Sequence, residues 1–250
     1  MPTKFLTALP VYNEAKHVSD VLDQVLLSSP NVLVVDDGST DGTAELLARR
    51  SDIAVVTHRP NAGYGAALRS AFCFALTHDY DVLVTIDCDG QHEPQRIGQF
   101  VAACNDAQIV SGSRYLQSFE GQSLPPEDRR RINMEITAEV NRRLGLQLTD
   151  AFCGFKAYRR DALETFSITE FGYAMPLEVW AQAAHESLKI VELPVPLIYL
   201  DESRSFGGSL DNAQTRLQYY YEVLDRMIGR AKVRPPHARG KISLCQGSAE

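Results

Sequence analysis

Val82-Leu83-Val84-Thr85-Ile86-Asp87-Cys88-Asp89-Gly90-Gln91-His92 joins a short, largely apolar run to a turn carrying two carboxylates and an amide. A run of this length bounded by a turn reads as a strand with both faces covered, the kind that occupies the interior of a parallel sheet. Alternate residues at a strand end point the same way while the backbone stays extended, so Asp87 and Asp89 converge as the chain turns at Gly90, with Gln91 as a third oxygen donor. Such oxygen ligands suit Mg²⁺ or Mn²⁺. A Mg²⁺ site built on one or two carboxylates normally leaves its other positions to water and substrate phosphates, which makes a diphosphate the implied ligand. The plain alternative is an acidic turn after a core strand, because D-x-D alone is a common pattern.

Outward from this point the same unit recurs. Phe5 to Leu9, Val32 to Val35 and Ile53 to Thr57 read as further short strands. They alternate with helical spacing over Asn13 to Leu27, with Asn13 as N-cap, then over Ala44 to Arg50 and Gly65 to Thr77. Strands alternating with helices at this pace predict βαβ crossovers and an α/β, doubly wound, mostly parallel sheet whose ligands collect at the carboxyl ends of the strands. The loops at those ends are Pro10 to Glu14, Asp36 to Thr43, Asn61 to Gly65 and Asp87 to His92, and all carry polar residues or glycine.

The second half is less regular. Ile109-Val110-Ser111 predicts a strand leading into Gly112-Ser113-Arg114-Tyr115, and Phe119 to Pro126 a mobile loop. Glu127 to Leu144, Pro176 to Glu186 and Asn212 to Arg230 carry helical patterns, while Cys153 to Tyr158 and Ile190 to Leu193 read as strands. Residues 1–231 are expected to form one domain, and the Pro-, Gly- and Ser-containing stretch 232–250 a disordered tail.

Composition narrows the function. The 250 residues with 44% hydrophobic content support a sizeable core, and a formal net charge of -7 argues against a nucleic-acid-binding surface. Five scattered cysteines without C-x-x-C spacing, and no signal-peptide pattern at the N-terminus, predict reduced thiols and a cytoplasmic location. No run approaches the apolar length that spans a bilayer, so any membrane contact is expected to be peripheral.

Together, Pro10-Val11-Tyr12-Asn13-Glu14, Val35 through Thr43, Asn61-Ala62-Gly63-Tyr64-Gly65 and Asp87 to His92 resemble the family 2 glycosyltransferases with the GT-A fold. Gly112-Ser113-Arg114-Tyr115 and Asp150 through Arg160 resemble the branch typified by dolichol-phosphate mannosyltransferase and related polyprenol-phosphate sugar synthases. The resemblance covers about residues 4 to 210. It implies a nucleotide-binding N-terminal half, an acceptor-side C-terminal half, and inverting, metal-dependent transfer of a hexose from a nucleotide sugar to a polyprenyl or dolichyl phosphate. GDP-mannose and UDP-glucose are the leading donors.

By the same resemblance Asp36, with Asp37 in support, meets the nucleoside, and Pro10, Tyr12 and Glu14 line its pocket. Gly63, Asp87 and Cys88 belong to the donor side, and Asp87, Asp89 and Gln91 hold the metal. Many relatives carry Lys where this chain has Tyr64. Arg114 is the expected partner of an anionic group, since guanidinium grips phosphate in a bidentate fork, although a surface salt bridge is the alternative. Arg129, Arg130 and Arg131 form a charge run from which one member can join it. Arg204 sits where relatives have a basic loop closing over the donor phosphates; this chain lacks their Lys.

The acceptor sets the remaining demand. A polyprenyl phosphate is already a nucleophile, whereas a soluble alcohol needs a carboxylate base, for which Asp150 and Glu178 are the candidates. The apolar stripe of the last helix, Leu217, Tyr220, Tyr221, Leu224 and Ile228, suits core packing better than membrane contact. A nucleotidyltransferase would carry a Gly-rich basic loop after the first strand, and a nucleotide-sugar-binding protein without activity would be expected to have lost part of the Asp87, Asp89, Gln91 and Arg114 set.

Overall fold

A computed structural model describes residues 3–120, 125–198 and 208–233. In chain order the elements are β1 (Phe5–Val11), α1 (Val18–Leu26), β2 (Val32–Asp36), α2 (Thr43–Leu47), β3 (Ala54–Thr57), α3 (Tyr64–Thr77), β4 (Val82–Thr85), α4 (Ile97–Ala103), β5 (Ile109–Ser113), α5 (Glu127–Leu144), β6 (Lys156–Arg159), α6 (Arg160–Leu163), α7 (Met175–His185), β7 (Ile190–Pro194) and α8 (Ala213–Val233). The strands form one sheet of order β3-β2-β1-β4-β6-β5-β7, and β6 alone runs against the others. The expected doubly wound, mostly parallel sheet is therefore present.

Period-two alternation divides the interior. Leu6 and Ala8 of β1, with Leu33, Val35 and Leu83, face a layer built from α3, α5, α7 and α8. Leu9 and Val11, with Val34 and Val84, face α1 and α4. The stripe of α8 is spent on this core: Tyr220, Val223, Leu224 and Met227 are buried. No helix among the described residues is long and apolar enough to cross a membrane.

Strand order positions the ligand rim. β2 lies on one side of β1 and β4 on the other, so the winding reverses between β1 and β4, and their carboxyl ends present Pro10 to Glu14 and Asp87 to His92 side by side. β6 enters between β4 and β5, with Thr85 opposite Lys156. Extending that antiparallel register by two residues places Gly154 opposite Asp87. The end of β5 brings Arg114 to the same rim.

Local readings change in five places. Asn13 is not a helix cap: α1 starts at Val18, and Asn13 takes a left-handed conformation with φ 57°. Its amide donates to Ser39 Oγ at 2.9 Å and its Oδ1 accepts the Thr40 amide at 2.7 Å, tying the first loop to the second. The last helix continues through Lys232 and Val233, two residues into the stretch expected to be a tail; residues 234–250 lie outside the described residues, as do 121–124 of the expected mobile loop. The sequence pattern marks neither α4 nor α6, and α2 is one turn rather than two. The four described cysteines, Cys73, Cys88, Cys104 and Cys153, are free thiols.

Candidate active site

A cavity of about 330 Å³ opens at the carboxyl rim between β1, β4 and β5. Of the residues singled out from the sequence, Pro10, Tyr12, Glu14, Asp37, Asp87, Cys88, Asp89, Gln91 and Arg114 line it. Asp36, Gly63 and Asp150 do not line it, although Gly63 is bonded to Asp37 and Asp150 to Arg114; Arg204 lies outside the described residues.

At the end of β4 the Asp87 carboxylate is held from three sides. Tyr64 donates its phenol to Oδ1 at 3.2 Å, the His92 Nε2 sits 3.2 Å from Oδ2, and Gly154 leaves room behind. A Cβ at position 154 would stand 2.0 Å from Asp87 Oδ2. Burial pushes the Asp87 carboxyl up, but the contacts with His92 and Tyr64 outweigh it and the net direction is down. Asp89 Oδ1 accepts the Gln91 amide at 3.0 Å, closing the turn. His92 Nδ1 is buried without a hydrogen-bond partner, an orphaned polar atom in the cavity wall.

Asp87, Asp89 and Gln91 on one wall supply the oxygen donors that suit Mg²⁺ or Mn²⁺. Among the described residues no three acidic, histidine or cysteine side chains converge on a point. A partial oxygen set of this kind fits a cation that takes one or two carboxylates and leaves positions for phosphate and water.

Both carboxylates of the Asp36-Asp37 pair are buried, and of the two Asp37 is the one that lines the cavity. Asp36 is 1% exposed and its Oδ1 accepts the Ser39 amide at 3.1 Å. Asp37 is the member that reaches the cavity. Its Oδ1 and Oδ2 accept the amides of Ala62 and Gly63 at 2.9 and 2.8 Å, and Oδ1 lies 2.6 Å from His58 Nδ1. His58 Nε2 in turn lies 2.8 Å from Ser70 Oγ. This Ser-His-carboxylate succession has the order of a hydrolytic triad, but neither Ser70 nor His58 lines the cavity, and the carboxylate is already filled with backbone donors. It shapes the Asn61–Gly63 loop instead. That loop is seated against residues 170–173, since Gly65 donates its amide to the Phe171 carbonyl at 2.8 Å, and Tyr64 stacks on Tyr173 with centroids 5.8 Å apart.

Across the cavity Arg114 forks onto Asp150, with Nε to Oδ2 at 2.6 Å and Nη2 to Oδ1 at 2.9 Å. Asn133 of α5 and the Phe152 amide also donate to Asp150 Oδ1, at 2.8 and 3.1 Å. Burial alone would raise the Asp150 carboxyl, but the Arg114 guanidinium overrides it and holds it well below the usual carboxylate range. This corrects the base assignment: a fully buried carboxylate saturated by donors is a poor proton acceptor, and Asp150 instead anchors Arg114. Glu178 is likewise occupied, accepting the amides of Thr169 and Glu170 at 2.7 and 2.8 Å, and it lies away from the cavity.

The remaining lining was not legible from sequence. Phe152, Tyr173, Tyr220, Leu197 and Ile198 add apolar and aromatic lining, and Arg129 and Arg216 add cationic side chains. Phe152 stacks on Tyr220 with centroids 4.8 Å apart. Arg129 was legible only as one of three arginines in a run and Tyr220 only as part of the stripe of the last helix; Arg216, Phe152 and Tyr173 carried no local signal.

The model of glycosyl transferase family 2 matches residues 7–166, a span that runs from within β1 past the end of β6 and holds every described member of the donor-side rim. The chain belongs to glycosyltransferase family 2. This glycosyltransferase is 33% identical over 221 residues to an undecaprenyl-phosphate mannosyltransferase of Micrococcus luteus, covering 84% of this chain and 90% of that protein. It is 34% identical over 227 residues to a polyprenol monophosphomannose synthase of Mycolicibacterium smegmatis, covering 85% and 84%. Among solved structures, glucosyl-3-phosphoglycerate synthase from Mycobacterium tuberculosis, in complex with Mn²⁺ and UDP-glucose, superposes with a TM-score of 0.69 at 20% identity, covering 91% of this chain and 80% of that one. That likeness establishes the GT-A fold for this glycosyltransferase.

Proposed function

We propose that this family 2 glycosyltransferase moves a hexose, with mannose the leading candidate, from a nucleotide sugar to a polyprenyl phosphate. One observation carries the reading: a single cavity is lined by the acidic end of β4, by arginines and by apolar and aromatic side chains. The acidic end suits a cation and a donor diphosphate, and the arginines with the apolar lining suit an anion attached to a hydrocarbon. The similarity to two bacterial enzymes that mannosylate polyprenyl phosphates supports the same pairing here.

Asp87, Asp89 and Gln91 would hold Mg²⁺ or Mn²⁺. When bound, the cation supplies neutralisation of the charge that builds on the departing nucleoside diphosphate. Pro10, Tyr12, Glu14 and Asp37 frame the nucleoside end, and the Asp37 carboxylate fixes the Asn61–Gly63 loop against it. Arg204, in the basic-loop position, is assigned to the donor phosphates on its resemblance alone. Arg114, oriented by Asp150, is assigned to the acceptor phosphate together with Arg129. The phosphate oxygen attacks the sugar C1 from the face opposite the leaving diphosphate, and the configuration inverts. Positioning suffices because the acceptor is already anionic. A hydroxyl acceptor would need a base, and both Asp150 and Glu178 are tied up by donors, which favours the phosphate acceptor over the soluble alcohol.

The test incubates purified protein with Mn²⁺, radiolabelled GDP-mannose or UDP-glucose, and undecaprenyl phosphate. Label is expected to enter the organic phase and to stay aqueous with Asp89→Ala. Donor consumption without organic label would move the acceptor to a soluble molecule, and no donor binding or turnover would refute the reading.

A further inference from the structure

The first residue of α3 projects a phenol into the acidic end of the cavity, where no titratable role is needed for it to act. Tyr64 Oη donates to Asp87 Oδ1 at 3.2 Å while His92 Nε2 occupies the side of Oδ2 at 3.2 Å. Gly154 closes the third approach, being a residue whose lack of a side chain lets the carboxylate lie against the β6 segment. The Tyr64 ring is itself fixed. It stacks on Tyr173 with an interplanar angle of 21°, and the next residue, Gly65, is bonded through its amide to the Phe171 carbonyl.

A carboxylate that binds a cation must present one lone pair toward it, and free rotation about its χ angles opposes this. Hydrogen bonds from neighbouring groups remove that freedom, and loss of such an outer partner typically weakens metal affinity by roughly 10- to 100-fold. We propose that Tyr64 is a positioning residue for the cation site, holding the Asp87 carboxylate in its binding orientation through the phenol hydrogen bond. This inference rests on the assignment of Asp87 and Asp89 to a divalent cation. It adds that the site's geometry is set from α3 and from the 170–173 turn, two segments that contribute no ligand of their own.

The experiment measures Mn²⁺ binding directly, by the electron paramagnetic resonance signal of free Mn²⁺, on full-length protein with saturating GDP or UDP. Tyr64→Phe retains the ring and its stack on Tyr173 and deletes only the hydroxyl. Its Mn²⁺ affinity is expected to fall about tenfold or more, with the protein still folded, its thermal midpoint lowered by no more than the loss of one hydrogen bond explains, and metal-free nucleotide affinity unchanged. Tyr173→Ala removes the stacking partner and leaves the phenol in place, and is expected to weaken Mn²⁺ by a smaller factor. Wild-type Mn²⁺ affinity in Tyr64→Phe would overturn the positioning role while leaving the transferase reading intact. If the unaltered protein binds Mn²⁺ no better than Asp87→Asn and Asp89→Asn together, the cation assignment fails and takes this inference with it.

Discussion

Replacing Gly154 by alanine adds one methyl group where the structure has no space for it, directly behind a residue assigned to the cation. The new Cβ would lie 2.0 Å from Asp87 Oδ2, 2.5 Å from its Cγ and 2.6 Å from Oδ1. Ordinary contact begins near 3.4 Å, so the carboxylate must retreat by about 1.4 Å or the β6 segment must shift by the same amount. The backbone at Gly154 is not left-handed, so alanine brings no φ penalty and the effect is one of volume alone. The β6 segment has little freedom, because Thr85 Oγ1 donates to the Gly154 carbonyl at 3.0 Å and Gly112 donates its amide to the Phe155 carbonyl at 2.7 Å. The carboxylate is therefore the part that moves, and it leaves its bonds to Tyr64 and His92. Overpacking of this kind costs about 1–3 kcal/mol of stability. A displacement of about 1 Å at a reacting centre lowers turnover by about 10²-fold. The assay pairs thermal unfolding with Mn²⁺-dependent kcat/KM for the labelled donor. A fall of at least about 100-fold in kcat/KM, with the protein still folded, is expected. Wild-type kcat/KM and wild-type Mn²⁺ dependence in Gly154→Ala would refute the placement of Asp87 at the reacting centre.

Three further outcomes follow from the same geometry. Arg114→Ala leaves the Asp150 carboxylate buried without its ion partner and should destabilise the fold by about 3–5 kcal/mol in urea unfolding, as well as abolishing transfer. The Asp150 carboxyl is held below its ordinary range, so the folded state favours its charged form; that stabilisation is complete above the unfolded value near ~3.9 and is lost as pH falls through the folded value. The stability gap between the unaltered protein and Asp150→Asn should accordingly be constant from pH 8 to about 5 and narrow below about 4 in pH-dependent thermal melts. Glu170→Ala frees the Tyr219 hydroxyl (2.6 Å), the Gly172 amide (3.1 Å) and Arg226 (2.5 Å), loosening the turn that seats Tyr64; a loss of about 1–3 kcal/mol and a higher KM for the donor are expected.

The alternation of apolar runs with helical spacing, and the polar loops that close each strand, were enough to read out a parallel α/β sheet and its ligand rim. These signals are local: burial on both faces of a strand demands consecutive apolar residues, and a helix demands a 3.6-residue period. The place of Asp87, Asp89, Gln91 and Arg114 in the cavity lining was legible for the same reason, as Arg114 follows β5 directly and the other three lie in the turn that closes β4. The contacts of Asp150 and Tyr64 were not, because each depends on a partner distant in the chain. Asp150 meets Arg114 across 36 residues and Tyr64 meets Asp87 across 23. The antiparallel insertion of β6 between β4 and β5 brings Gly154 against Asp87, a contact 67 positions apart in sequence that no periodicity encodes. The chemical types at the rim were thus determined by the sequence itself. Which carboxylate stays available to a ligand, and which is consumed by holding the walls, was decided only by the tertiary packing that supplies their hydrogen-bond donors.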